Sequence, residues 1–206
     1  ELLQRADALR QQWQATTRPI WIAASTHAGE DEIILAAHHQ LLKSRPDALL
    51  ILVPRHPERF NTVHDLCMNQ SLTTRRRSTA EAVQASDQVL LGDTMGELLF
   101  LYALADIAFV GGSLVANGGH NLLEPAALGK PVLSGPHLFN FLEIAAQLRE
   151  AGALNEVENA GQLADKVATL LNEPSEMQRM SQAGLSVLKA NQGALQRLLE
   201  GLQRLL

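Results

Sequence analysis

Four short polar segments of this chain carry the residue types that handle phosphates and sugar hydroxyls. The longest runs Phe109-Val110-Gly111-Gly112-Ser113-Leu114-Val115-Ala116-Asn117-Gly118-Gly119-His120-Asn121-Leu122-Leu123-Glu124-Pro125. Two Gly-Gly pairs let backbone approach a ligand closely and take conformations closed to other residues. A helix starting near Asn121 would aim free N–H groups and a positive dipole at an anion. Glu124, one turn in, could accept hydrogen bonds from both hydroxyls of a ribose. The plainer assignment makes Asn121 a helix cap and Glu124 a favourable first-turn charge. The long glycine loop ahead of them favours the ligand. The glycine spacing fits neither the dinucleotide fingerprint nor the P-loop, whose Gly-Lys-Ser/Thr ending is absent.

The second segment is Pro54-Arg55-His56-Pro57, where flanking prolines give Arg55 a stiff mount. Its guanidinium could hold a phosphate or carboxylate with two hydrogen bonds, or sit in an ordinary surface ion pair. The third is Gly92-Asp93-Thr94-Met95-Gly96-Glu97, whose backbone could read the edge of a base; ordinary capping by Asp93 or Thr94 is the alternative. The fourth, Ser25-Thr26-His27-Ala28-Gly29, is expected to face a phosphate or a neighbouring domain. No Gly-x-Ser-x-Gly elbow surrounds Ser25, so a nucleophile role is set aside. The histidines do not fall into metal-ligand spacings, and no cofactor is expected. Arg75-Arg76-Arg77 reads as a solvated basic loop, with contact to anionic lipid or acceptor phosphate as a lesser alternative. Lys130 follows a helix and reads as a cap or surface charge.

These segments need a scaffold, and the intervening sequence supplies one. Apolar runs alternate with amphipathic stretches, the pattern of βαβ units and a parallel sheet. Strands are expected at 19–24, 48–53, 72–74, 88–91, 107–110 and 131–133. Helices are expected at 30–42, 57–68, 95–103, 121–128 and 141–151, and from Gly161 onward with breaks at Pro174 and Gly193. The fold class is therefore α/β: one Rossmann-like, doubly wound domain over 1–206, led by a helix or interdomain segment (1–17) and extended by C-terminal helices (174–206). Each polar segment follows an expected strand, where such sheets bind ligands.

Composition narrows the class. Hydrophobic residues make up 46% of the 206 and charged ones 19%, as in a soluble globular protein. A formal charge of −5 argues against electrostatic capture of nucleic acid. The lone Cys67 excludes an internal disulfide and suits a reducing compartment. No apolar run approaches the roughly 20 residues that span a bilayer. The chain opens without an initiator Met, on a helix-like pattern with Leu2, Leu3, Ala6 and Leu9 on one face, and is expected to be part of a longer protein.

The segment from Gly111 to Pro125, continued by Ala126-Ala127-Leu128-Gly129-Lys130-Pro131-Val132 and Gly135-Pro136-His137-Leu138-Phe139-Asn140-Phe141, closely resembles the Kdo (3-deoxy-D-manno-octulosonic acid) transferases of lipopolysaccharide synthesis. The resemblance extends to Ala24-Ser25-Thr26-His27-Ala28-Gly29-Glu30, Val53-Pro54-Arg55-His56-Pro57-Glu58-Arg59-Phe60 and Gly92 to Leu98. It implies the C-terminal, donor-binding half of a GT-B glycosyltransferase. By this match Pro54, Arg55, Met95, Gly96, Glu97, Asn121, Leu122, Leu123 and Glu124 would contact the CMP of CMP-Kdo, with Ser25, Thr26, Thr94, Gly119 and His120 as a further donor-site loop.

The same resemblance implies inversion at the sugar without a tightly bound metal. It places the general base and much of the lipid A precursor site in the family's N-terminal half, so no residue here is assigned as catalytic base, and these residues alone are expected to be inactive. Membrane association would come mainly through that other half, at the cytoplasmic face of the inner membrane. A GT-B enzyme using a UDP-sugar and a non-catalytic Rossmann-like module remain the alternatives.

Overall fold

The structure, a computed structural model, describes residues 1–203, with side chains to 192. Seven strands lie in one all-parallel sheet: β1 (Ile20–Thr26), β2 (Leu49–Pro54), β3 (Thr74–Arg76), β4 (Val89–Leu91), β5 (Ile107–Val110), β6 (Val132–Ser134) and β7 (Leu154–Glu156). Their order across the sheet is β3-β4-β2-β1-β5-β6-β7. The helices are α1 (Leu2–Gln12), α2 (Asp31–Ser44), α3 (Phe60–Asn69), α4 (Leu98–Leu104), α5 (Leu123–Ala127), α6 (Leu142–Glu150), α7 (Ala160–Asn172) and α8 (Pro174–Gln203). The expected doubly wound α/β architecture with a helical C-terminal segment is the one found.

The continuous apolar runs of β1 and β2 are explained by burial on both faces, as parallel sheets require. Strand alternation then divides their side chains between two layers. Trp21, Ala23, Leu50 and Leu52 pack with Ile34, Leu35 and Leu41 of α2 and with α3 and α7. Ile20, Ile22, Leu49 and Ile51 pack on the other face with Ala6 of α1 and Leu101 to Leu104 of α4. Of the apolar face expected on α1, Leu2, Ala6 and Leu9 join this layer, whereas Leu3 is exposed. A third cluster joins Val110 and Val132 to Leu122, Leu138, Leu148 and Val187 around α5, α6 and α8.

Most boundaries shift by one to three residues from the sequence expectation, and the differences at α4, α5, β3, β7 and α8 have local reasons. Gly96 takes a left-handed φ of 79°, so α4 begins at Leu98 and Met95 lies in the turn before it. Helix α5 is only five residues long, since Asn121 turns before it and Gly129, at φ 65°, ends it. Strand β3 lies two residues later than expected because the Leu72 amide is still engaged at the close of α3, donating to the Cys67 carbonyl at 3.1 Å. Strand β7 was not expected: only Leu154 of its three residues is buried, too short a signal to read. Pro174 does start a new helix, but α8 runs through Gly193 without the expected break.

Counting outward from β1, the chain winds one way to β2 and the other way from β5 onward. The crevice between the loops after β1 and β5 is thus the topological switch point, where open α/β sheets bind ligands. A β-bulge at this edge shifts register between Ala24 and Thr26, with Ser25 at φ 58°. Bulges of this kind re-aim the end of a strand.

Candidate functional site

The carboxyl ends of β1, β2 and β4 enclose a cleft of about 120 Å³ lined by Ser25, Pro54, Arg55, Phe60, Thr94, Met95 and Gly96. Three of the four polar segments therefore meet. Ser25 enters through the bulge, and Arg55 is held by its own amide, which donates to the Thr26 carbonyl at 3.0 Å. Its exposed guanidinium makes no ion pair among the described residues. Phe60, at the head of α3, contributes the cleft's aromatic face; as a half-exposed aromatic within an apolar helix pattern it gave no separate signal in the sequence.

The third segment is braced from behind. Arg77 grips Glu97 with two hydrogen bonds of 3.1 and 2.9 Å, and the Thr94 hydroxyl donates to the same carboxylate at 2.6 Å. Asp93 accepts Arg76 Nε at 2.6 Å together with the amide and hydroxyl of Ser78. Burial alone would raise both carboxyl pKa values. The hydrogen bonds and the arginine charges outweigh it and hold both below the usual range.

This bracing corrects the reading of Arg75-Arg76-Arg77 as a solvated loop. Arg75 pairs with Asp87 and Glu81, Arg76 with Asp93, and Arg77 with Glu97 while standing 5.8 Å from the Phe100 ring centre. Their charges are neutralised within the domain, which leaves little for anionic lipid. It also turns the Glu97 side chain toward Arg77, so that this segment offers the cleft Thr94, Met95 and Gly96 instead. Lys130 is likewise an internal contact, donating to the Ala103 carbonyl at 3.1 Å, with its pKa lowered by burial.

The glycine loop is organised by a residue given no role in the sequence reading. Glu30 is fully buried, and its carboxylate accepts the amides of His27, Gly112, Ser113 and Leu114 at 3.0, 2.6, 2.9 and 2.8 Å. Gly112, Ser113 and Leu114 thus form an amide nest already filled by a carboxylate from the protein itself, while the Gly111 amide bonds the Ala24 carbonyl at 2.8 Å. Gly111 is also crowded: a Cβ there would meet the backbone of Ser25 and Thr26. The signal for Glu30 was its place just ahead of α2, where acidic residues are common for other reasons.

Thr26 and Gly119 likewise turn inward. Thr26 is buried, with its hydroxyl donated to Asp31 at 2.6 Å, and Asp31 in turn pairs with Arg59. Gly119 donates its amide to the Gly112 carbonyl at 2.8 Å. A polar side-chain contact from Thr26 to a ligand is therefore not on offer.

His120 stands at the mouth. Its Nε2 lies 2.8 Å from Nε2 of His27, and the His27 and His56 rings meet in a T-shaped arrangement at a centroid distance of 5.4 Å. Beyond it, Asn121 caps the amide of Leu123 through its side-chain oxygen at 3.1 Å and donates to Glu124 at 3.3 Å. Leu122 is buried in the third cluster, and Leu123 and Glu124 are half-exposed. Asn121 to Glu124 do not line the cleft itself. Among the described residues, no group of three or more His, Cys, Asp or Glu is arranged to hold a metal ion, and no helix is long and apolar enough to cross a membrane.

Residues 17–187 match the family described as Glycosyl transferases group 1. The chain is 53% identical over 201 residues to the 3-deoxy-D-manno-octulosonic acid transferase of Haemophilus influenzae, covering 97% of this chain and 47% of that protein. It is 41% identical over 193 residues to the protein of the same name from Bordetella pertussis, covering 92% and 45%. The chain thus spans about half the length of these curated relatives. The crystal structure of the C-terminal CMP-Kdo binding domain of WaaA from Acinetobacter baumannii matches with a TM-score of 0.87 at 41% identity, covering 91% of this chain and 97% of that one. The parallel sheet with its flanking helices is that of a GT-B glycosyltransferase half, and the chain belongs to the Glycosyl transferases group 1 family.

Proposed function

We propose that residues 1–206 form one donor-nucleotide-binding domain that holds CMP-Kdo for a transferase placing Kdo on a lipid A precursor, with inversion. The observation that carries this reading is the cleft at the ends of β1, β2 and β4, where Arg55, without an ion pair among the described residues, stands beside Phe60 and the Thr94–Gly96 turn. The cleft wall made by Phe60 and Met95 suits the faces of a base, and the backbone around Gly96 suits its polar edge. Arg55 takes the phosphate, and Glu124, steadied by Asn121, takes the ribose hydroxyls. The likeness to a crystallised CMP-Kdo binding domain over 97% of its length supports cytidine as the base.

In this reading, acceptor binding, the general base and attachment to the cytoplasmic face of the inner membrane belong to the rest of a longer protein. The test is a transfer assay with CMP-Kdo and a lipid A precursor. The full-length protein carrying this segment is expected to release CMP and lengthen the acceptor, and the 206-residue chain alone to do neither. Transfer by the full-length protein from a UDP-sugar but not from CMP-Kdo would overturn the donor assignment.

A further inference from the structure

With the Gly112–Leu114 amides engaged by Glu30, the side chains gathered at the mouth of the switch point include His27, His56 and His120, with Arg55 beside them. The His27 and His120 rings lie nearly parallel, 9° apart with centroids at 5.1 Å, and touch through Nε2 at 2.8 Å. Gly112 forms the floor beneath them. A Cβ there would come within 3.1 Å of the His120 ring and 3.4 Å of His27.

We propose that His27 and His120 form the subsite for an anionic group of the ligand, a phosphate or a carboxylate, and that the pair gains one proton from solvent as that anion docks. The proposal rests on the donor-site reading above and adds to it a residue pair and a proton.

The geometry sets the number of protons. In the neutral pair, one ring donates its Nε2–H and the other accepts with a bare Nε2. One added proton enters at Nδ1 of the donating ring and leaves the contact intact. A second would set two Nε2–H groups against each other at 2.8 Å.

Neither Nδ1 makes a hydrogen bond among the described residues, so each is available to an incoming oxyanion. The charged and titratable neighbours are Glu30 ahead of α2 and Arg55, His56 and Arg59 from the loop after β2. Three of these four add positive or potentially positive charge. Burial first, and then the positive neighbours (at His120 led by the His27 ring), keep both rings below the ordinary imidazole range, His120 at about 4, with Glu30 opposing the shift at His27. The free site is therefore largely discharged, and a bound anion supplies the countercharge it lacks.

Side-chain nitrogen NMR of the 206-residue chain, titrated over pH 4–8, reads the imidazoles directly and separates them from titration of the phosphate itself. Saturating CMP is expected to raise the midpoint of the His27–His120 pair by at least about one unit, with one proton gained. Cytidine, which has no anion, should leave it unmoved. Free Kdo, with a carboxylate and no phosphate, identifies the source: a rise with CMP alone assigns the phosphate, and a rise with Kdo alone assigns the carboxylate. His27→Gln and His120→Gln should each weaken binding of the responsible anion at pH 6 by about fivefold or more, with cytidine binding and the circular dichroism spectrum unchanged.

If CMP binds and shifts the Met95 and Gly96 amides while neither CMP nor Kdo moves the histidines, the subsite is overturned and the nucleotide reading stands. If CMP does not bind but Kdo raises the pair, the subsite stands and the nucleotide reading falls. No response to CMP or Kdo overturns both.

Discussion

The buried carboxylate of Glu30 accepts the backbone amide of Ser113 at 2.9 Å, fastening the loop after β1 to the loop after β5 across the switch point of the sheet. No cationic side chain pairs with Glu30 among the described residues; four amides supply the compensation. A ligand at this crevice therefore meets a loop that the protein has already folded around its own anion.

Glu30→Gln places an NH₂ group against amides that need an acceptor. A stability loss of about 3 kcal/mol is expected, since a buried donor left unpaired forfeits its full solvation. Urea denaturation measures it. A loss below about 1 kcal/mol would mean that the nest is not closed by this carboxylate.

Arg77 and Glu97 are expected to couple by about 1 kcal/mol in a double-mutant cycle, the upper end for a partly exposed pair, because the contact is two-pronged. Arg77→Ala should also weaken CMP binding several-fold by loosening the Thr94–Gly96 turn. The acid sensitivity follows from the sign. Glu97 and Asp93 have folded pKa values below their unfolded ones, so their stabilisation is complete above the ordinary carboxylate range and is lost as pH falls through the lowered values.

His38 gives a second pH dependence, of opposite chemistry. Its Nδ1 accepts the Trp21 indole N–H at 3.1 Å, and its Nε2 donates to the Gln88 carbonyl at 2.9 Å, which fixes it as neutral. Burial lowers its pKa from 6.5 to about 4. The unfolded chain protonates first, so this contribution is whole above pH 6.5 and declines as pH falls toward 4, by roughly 3 kcal/mol. His38→Gln should flatten that slope in melts between pH 7 and 4.5. An unchanged slope would place the acid sensitivity elsewhere.

Two glycines separate backbone strain from crowding. At Gly96, with φ 79°, an added Cβ meets nothing within 4 Å, so Gly96→Ala should lose only the roughly 1–2 kcal/mol of a left-handed alanine. At Gly112, with φ 68°, the Cβ also presses on His120, so Gly112→Ala should lose more and shift the His27 and His120 resonances. Equal losses would show that the His120 ring yields freely.

The sheet was legible because β1, β2 and β5 are apolar runs of residues buried on both faces, and the loops were legible because glycine and arginine are conspicuous after such runs. What escaped was partnership. Nothing in the order of residues says that Arg75, Arg76 and Arg77 each have a carboxylate waiting, or that Glu30 reaches a loop some eighty residues later. The basic run accordingly read as solvent-facing, and the glycine pairs as backbone that lets a ligand approach closely. Thr26 misled similarly: a hydroxyl at a strand end looks available until Asp31 is seen beside it. Helix α5 was expected at eight residues and has five because the Asn121 side chain shapes a turn, not a first helical residue.

The most direct test of the donor site is calorimetric titration of the 206-residue chain with CMP, with UMP as control and an Arg55→Ala, Glu124→Ala double variant alongside. CMP is expected to bind more tightly than UMP, with binding lost in the variant while the fold persists. Preference for UMP, or CMP binding untouched by the double substitution, would contradict the assignment of this cleft as a cytidylate site.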